Sequence, residues 1–291
     1  MASPMSFNQD EAAHFVKNIL RVDDTGNGNK LALLNKIIYS FKSNVACHNI
    51  GLLSSKARQL PDWTRVKTDI LNGKGELGCA LNVFMAGLLK ALGFDASLST
   101  AVMYALDAFH SSHLIVLVGG LGKPGEHFLV DVGNEHPTLE AVPLGFGEES
   151  PEYHHSYLEY KFMCRDGRIL RLHNRGQHDS KAQIDASLDG FYIFYDFDLS
   201  SKTQEDLDNC LSLIYTNPRA SPFHRSLRAS IFRNGMCILL KDNELYVESD
   251  EHKMVSRPLN SNEELMKAFT DYFPMIDVEL ILKARETLKM A

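Results

Sequence analysis

A cysteine, a histidine and an aspartate stand in an order that could build a thiol nucleophile. Cys79 follows the glycine-rich stretch Gly73-Lys74-Gly75-Glu76-Leu77-Gly78 and opens a segment whose apolar residues Leu81, Phe84, Met85, Leu88, Leu89 and Leu92 recur at helical spacing. That spacing predicts a helix over Cys79–Leu92, with Gly93 as its stop. A thiol attacks as thiolate, and the unpaired N–H groups and positive dipole end of a helix N-terminus favour that anion. A neighbouring imidazole would activate it further. Glycines ahead of it let a substrate approach the backbone, whose N–H groups could hold an oxyanion. Taken alone, Cys79 also fits a small buried residue, the reading given to Cys47, Cys164, Cys210 and Cys237.

His113 and Asp131 are the partners the downstream sequence offers. They flank Gly119-Gly120-Leu121-Gly122-Lys123-Pro124-Gly125, a run of turn residues. A hairpin symmetric about Gly122 sets His113 opposite Asp131 on one face, close enough for a carboxylate to orient the imidazole. A slip of one residue would put them on opposite faces. His127 shares the face of Asp131 and competes with His113 for the role.

The elements that must position these groups read as helices first and strands later. Residues 30–42 place Leu31, Leu34, Ile37, Ile38 and Phe41 on one helix face. After Gly93 the period changes to two: Ala96, Leu98, Thr100, Val102 and Tyr104 alternate, and strands follow at 113–118, 127–132, 157–164 and 191–197. Residues 171–187 are polar and read as loop. This middle third predicts a small antiparallel barrel or strongly curved sheet. A helix over 203–213, strands at 227–232, 236–240 and 244–247 with Asn234-Gly235 and Asp242-Asn243 turns, a capping box at Ser261-Asn262-Glu263-Glu264 and a helix over 277–289 complete the chain. The fold class is α+β, in three regions: a helical bundle over 1–93, a β-barrel over 94–200 and an α/β lid over 201–291.

Bulk properties exclude several functions. A net charge of −7 over 291 residues opposes nucleic-acid binding, which needs a basic face. The apolar runs are far below the roughly 18–20 residues that span a bilayer. The N-terminus has no secretory pattern. Five scattered cysteines make no disulfide framework and no zinc knuckle, so a cytoplasmic protein with free thiols is expected. His154, His155 and His110, with Asp107 or Glu152, lack the spacing of a metal site.

Order and spacing resemble the arylamine N-acetyltransferase family, over roughly residues 15–245. The family's Arg-Gly-Gly-x-Cys element is similar to Gly75-Glu76-Leu77-Gly78-Cys79. Its histidine at a strand start resembles His113-Leu114-Ile115-Val116-Leu117-Val118, and its Asp-Val-Gly element Phe128-Leu129-Val130-Asp131-Val132-Gly133. His48-Asn49-Ile50-Gly51-Leu52 and Tyr215-Thr216-Asn217-Pro218 through Ser221-Pro222-Phe223 to Asn234-Gly235 resemble two further family stretches. The resemblance implies a helical bundle, barrel and lid with a cysteine-proteinase-like core, and ping-pong acyl transfer from acetyl- or another acyl-coenzyme A to a small amine. In it Cys79 is the nucleophile, His113 the acid/base and Asp131 its orienting partner. It also implies a coenzyme A cleft at Thr216, Ser221, Pro222 and Phe223, with Arg219, Arg225 and Arg228 near the phosphates, and no metal. A Cys-His-Asp hydrolase or amidase of the transglutaminase-like group, or a degenerate binding protein, would use the same elements. The chain departs from the family pattern in four places. The arginine before the nucleophile is missing, Leu81 replaces an acidic or amide residue, the helix from Cys79 to Gly93 is about one residue short, and Asn134-Glu135 follow Asp-Val-Gly.

Overall fold

The computed structural model describes residues 5–23, 28–55, 57–104, 111–174 and 190–290. The helical part comprises α1 (Gln9–His14), running into a π turn (Phe15–Ile19), α2 (Lys30–Asn44), α3 (Ile50–Ser54), α4 (Trp63–Leu71) and α5 (Gly78–Ala91), with the short strand β1 (Cys47–His48) between α2 and α3. Helix α2 buries Leu34, Ile37, Ile38 and Phe41, the face read from the sequence. In α5 every residue from Gly78 to Leu89 is buried, so it is a central helix rather than an amphipathic surface one.

An eight-stranded antiparallel sheet follows, built from β2 (Asp95–Met103), β3 (Ser111–Gly119), β4 (His127–Val130), β5 (Val142–Pro143), β6 (Tyr153–His155), β7 (Leu158–Arg165), β8 (Arg168–Asn174) and β9 (Phe191–Phe197). Its order is β5-β4-β3-β2-β9-β8-β7-β6. The α+β class with a curled sheet holds. Two points correct the sequence reading: Cys164, expected as a buried residue, is exposed at the end of β7, and one strand was missed in part. Residues 168–174, expected in part as loop, form the interior strand β8, and the rest of that expected loop lies outside the described residues. Polarity misled because Arg171 and His173 are buried polar residues of a strand, fully enclosed among aromatic rings.

Helix α6 (Gln204–Thr216) leads through a 3-10 turn (Pro222–His224) into a second sheet. Its strands are β10 (Arg228–Arg233), β11 (Met236–Lys241), β12 (Glu244–Glu248) and β13 (Met254–Pro258), and β1 joins it at the edge beside β10. Helices α7 (Asn262–Tyr272) and α8 (Val278–Met290) close the chain. Ser261 caps α7 as expected, but the Glu264 carboxylate returns to the Asn260 N–H, one residue outside the box.

The β3 strand is buried on both faces, which explains its unbroken apolar run. Leu114, Val116 and Val118 pack with α2, α5 and α6 in one cluster, whereas Ile115 and Leu117 belong to another with Leu129, Tyr160, Tyr195 and Phe197. A third cluster joins Ile50 and Leu53 of α3 to α7, α8 and the second sheet. No described helix is long and apolar enough to cross a membrane.

Candidate active site

Strands β3 and β4 pair with Val116 opposite Val130 and Gly119 opposite His127. The hairpin is therefore centred on Lys123, and each residue pairs two positions away from the register centred on Gly122. A shift of two preserves the face, so His113 and Asp131 become diagonal neighbours rather than a direct pair. The side chains close the gap: His113 Nε2 lies 3.0 Å from Asp131 Oδ1 and 3.1 Å from Oδ2. An ionised carboxylate only accepts, so Nε2 carries the proton and Nδ1 is left to exchange one. His127 sits at the far end of β4 opposite Gly119, and the carboxylate bonds His113 instead.

Asp131 is wholly enclosed. Burial alone would raise its pKa, but His113, the Arg171 guanidinium and the Asn82 amide hold it below the usual carboxylate range. Asn82 Nδ2 donates to Oδ1 at 2.9 Å, and Asn134 Nδ2 and the Tyr195 hydroxyl each reach Oδ2 at 3.3 Å. Arg171 Nη1 stands 3.9 Å away, its guanidinium stacked over Tyr160 and held by Thr138 Oγ1 at 2.8 Å and the Pro137 carbonyl at 2.9 Å. Sequence reasoning missed Asn82, Tyr195 and Arg171. A lone amide in the apolar run Leu81-Asn82-Val83 was the one available signal.

The approach to α5 is pinned from behind. His48 accepts from the Ile50 N–H through Nδ1, so its Nε2–H donates to the Lys74 carbonyl at 3.1 Å. The Glu76 carbonyl takes the His48 N–H at 3.0 Å. Gly75 has φ +84°, and a Cβ there would stand 2.1 Å from the Ala46 carbonyl oxygen, so only glycine fits. Glu76 is buried, which raises its pKa, and accepts from the Leu77 N–H at 2.9 Å.

Asn82 then docks α5 on the strand end. Besides Asp131 it donates to the Leu114 carbonyl at 2.5 Å, and its Oδ1 accepts from Val132 N at 3.0 Å and Gly133 N at 3.2 Å. Both donors and both acceptor sites of the amide are used. One turn earlier on the same helix face stands Gly78. A Cβ on Gly78 would fall 1.8 Å from the Gly133 carbonyl oxygen, and one on Gly133 would fall 1.9 Å from that of Gly78. The two backbones touch.

Cys79 lies next to this contact but turned from it. It is 3% exposed and belongs to the helix-side cluster with Cys210, Ile214 and Tyr215 of α6. Burial, and then Cys210, push its pKa well above the ordinary thiol value; the Tyr215 hydroxyl works against this, Glu76 adds to it, and the Ala80 N–H opposes it. The Tyr215 hydroxyl stands near the thiol without hydrogen-bond geometry, buried and unpartnered among the described residues. No hydrogen bond joins Cys79 to His113. The structure therefore brings His113 and Asp131 together and leaves Cys79 on a separate wall.

The end of α6 runs on through residues 217–221 into the 3-10 turn. Thr216 Oγ1 donates to the Ser212 carbonyl at 2.8 Å. Ser221 is buried with its Oγ unpartnered among the described residues, and Pro222 and Phe223 form the 3-10 turn. Asn49 clamps this segment: Nδ2 donates to the carbonyls of Phe223 and Ser226 at 2.7 and 2.6 Å, and Oδ1 accepts from Arg228 N at 2.8 Å. Arg219 and Arg225 are exposed, whereas Arg228 is paired with Glu135 at 2.9 Å. Among the described residues no group of His, Cys, Asp and Glu is arranged to hold a metal; His110 and Asp107 lie outside them.

The model of a family described as N-acetyltransferase matches residues 30–281. Among solved structures, an arylamine N-acetyltransferase from Salmonella typhimurium superposes with a TM-score of 0.77 at 15% identity, covering 98% of this chain and 100% of that one. That of Mycobacterium marinum gives 0.76 at 15% identity over 96% and 98%. Its complex with CoA gives 0.74 at 15% identity over 94% and 97%. Curated protein sequences give no match.

Proposed function

The chain belongs to the N-acetyltransferase family, and on that premise we propose that it moves an acyl group from an acyl-coenzyme A thioester to a small amine. His113 manages the transferred proton and Asp131 holds the ring. The observation that carries this reading is the His113–Asp131 contact at 3.0 Å, with a carboxylate kept ionised by its surroundings. An imidazole fixed through Nε2 presents Nδ1 as a base of defined direction, the role a transferred amine proton requires.

The coenzyme belongs along the segment from Thr216 to Phe223. It follows directly on Tyr215, which stands at the Cys79 wall, and Asn49 keeps its backbone in place. The M. marinum relative, of the same fold, is known in complex with CoA. Acetyl and longer acyl donors, and arylamines, hydrazines or other small amines, are the substrate classes to test. The family resemblance routes the acyl group through a thioester on Cys79, a step that asks the thiol to reach Nδ1 of His113.

The test is amide formation from acetyl-, malonyl- and longer acyl-coenzyme A with a panel of amines, in the wild type and in His113→Ala. Loss of a general base lowers turnover by about 10²–10⁴-fold. A His113→Ala enzyme within a factor of about two of the wild type would remove the pair from the reaction.

A further inference from the structure

Residues 134–138 follow directly on Asp131-Val132-Gly133, and cations from three separate elements hold them. Lys42, in the last turn of α2, donates from Nζ to the Asn134 carbonyl at 2.5 Å and to the His136 carbonyl at 3.4 Å. Arg228 of β10 pairs with Glu135 at 2.9 Å. Arg171 of β8 donates to the Pro137 carbonyl at 2.9 Å and to Thr138 Oγ1 at 2.8 Å. Each residue of this strap thus meets a cation. The strap begins at Asn134-Glu135, where the chain departs from the family pattern.

Asn134 joins the strap to the pair. Its Oδ1 accepts from the His136 N–H at 3.0 Å, which leaves Nδ2 to donate to Asp131 Oδ2, 3.3 Å away. Its own carbonyl ends on Lys42. We propose that Lys42 is a positioning residue for the His113–Asp131 pair: its ammonium fixes the strap, and through Asn134 the strap keeps the Asp131 carboxylate turned to His113. This rests on the acyl-transfer reading above and names a residue outside the pair on which turnover depends.

Lys42 is 3% exposed, and a buried ammonium is costly. An apolar side chain of similar volume would pack there at less cost. The charge supplies what such a side chain lacks. It strengthens the hydrogen bonds to the two carbonyls and is drawn to the face of the Phe232 ring, 4.5 Å from Nζ. The carboxylate needs this support, because its last torsion is soft. Without the Asn134 amide, Oδ2 is left to His113 and the Tyr195 hydroxyl, the carboxylate turns, and the imidazole loses its direction.

The charge on Lys42 also titrates in an accessible range. Burial lowers its pKa to about 8; Cys47, Asp131 and Cys237 oppose the lowering, and Arg171 adds to it. Those groups face it from β1, the end of β4, β11 and β8, together with Glu135 and His136 on the strap and Arg228 on β10. Burial pushes Cys47 up to about 12 and raises Cys237 as well, so both thiols stay neutral while Lys42 loses its proton. Asp131 is held below the usual carboxylate range and stays ionised. A base gains activity as pH rises. A fall in turnover as pH passes about 8 is therefore the signature of Lys42 and not of His113 acting as base.

The experiment measures kcat for amide formation from acetyl-coenzyme A and an arylamine that stays uncharged. The wild type should lose about tenfold between about pH 7 and 9. Lys42→Met should be about 10–100-fold slower at about pH 7, with a flat profile and a KM for acetyl-coenzyme A within about twofold of the wild type. Lys42→Arg, which stays charged, should recover most of the rate and keep it on the alkaline side. Asn134→Ala should match the loss, and the double variant should be no slower than either single one. A flat wild-type profile, a Lys42→Met enzyme within about twofold of the wild type, or losses that multiply in the double variant would overturn the proposal and leave the acyl-transfer reading standing. A wild type that forms no amide with any donor and amine overturns that reading itself, and this one with it. The wild-type profile needs no variant, so poor folding of Lys42→Met would not spare the proposal.

Discussion

The two walls of the candidate site treat their polar groups in opposite ways. Around Asp131 each oxygen has several donors, each atom of the Asn82 amide is used, and a buried guanidinium balances the charge. Around Cys79 most neighbours are apolar side chains, the Tyr215 hydroxyl has no hydrogen-bond partner among the described residues, and the Glu76 carboxyl is held toward its neutral form by burial. A buried charge persists only where hydrogen bonds replace water, and a buried thiol that lacks them stays a thiol. The first wall keeps a charge in the interior. The second is packed as core.

That contrast can be broken most forcefully where the walls meet. Gly133→Ala puts a Cβ 1.9 Å from the Gly78 carbonyl oxygen and 2.8 Å from the Asn82 amide nitrogen. Overpacking costs about 1–3 kcal/mol, and dislodging Asn82 strands buried donors at about 1–3 kcal/mol each, so a loss of about 4 kcal/mol is expected in urea unfolding. A change below about 0.5 kcal/mol would mean that the backbones separate easily and that the helix can turn its thiol inward.

Acid should separate the walls next. Asp131 has a lowered folded pKa, so its contribution is complete above the unfolded carboxylate value and is lost only as pH falls through a folded value below that range. His48, which holds the strand entering α5, behaves otherwise. Burial, set against the Lys74 hydrogen bond and the charge of Asp69, lowers its folded pKa to about 4. Between that value and about 6.5 the unfolded chain binds the extra proton, so stability falls as pH drops through this window. The full effect is about 3 kcal/mol. Glu76, with its raised pKa, acts in the opposite sense near its own titration, so the comparison is wild type against His48→Gln. The variant should lose the dependence between pH 6.5 and about 4. An equal slope in both proteins would assign acid sensitivity to other groups.

The sequence carried the elements well and the contacts between them less well. Strand β9 was read at its observed limits, and helices α2 and α5 within two residues, because apolar period is a local property. The β3–β4 register missed by two and still paired His113 with Asp131, since the face depends only on parity. Strand β8 was lost in part to its own composition. Arg171 reads as solvent-facing until the rings of Tyr160, Phe194 and Tyr195, distant in sequence, are folded round it. The direction of Cys79 was hidden for a related reason. A glycine-led helix start announces a thiol at the N-terminus, but which of its first two residues faces the partner strand depends on where Asn82 docks.

The smallest test concerns α6, the outer wall of the thiol. Thr203 and Asp206 form a reciprocal cap, with the Asp206 N–H 3.1 Å from Thr203 Oγ1 and the Thr203 N–H 2.8 Å from Asp206 Oδ2. Thr203→Ala removes the first bond and should cost about 1 kcal/mol by thermal unfolding. Cys210 and Tyr215 sit further along that helix, against Cys79, so fraying of its start should raise the rate at which an alkylating reagent reaches the thiol. Amide formation should stay within about twofold, because the His113–Asp131 pair hangs on β3, β4 and α5 and owes nothing to that cap. If activity rose with thiol reactivity instead, the packed wall would be a restraint on a working nucleophile, and the contrast between the two walls would describe a resting state.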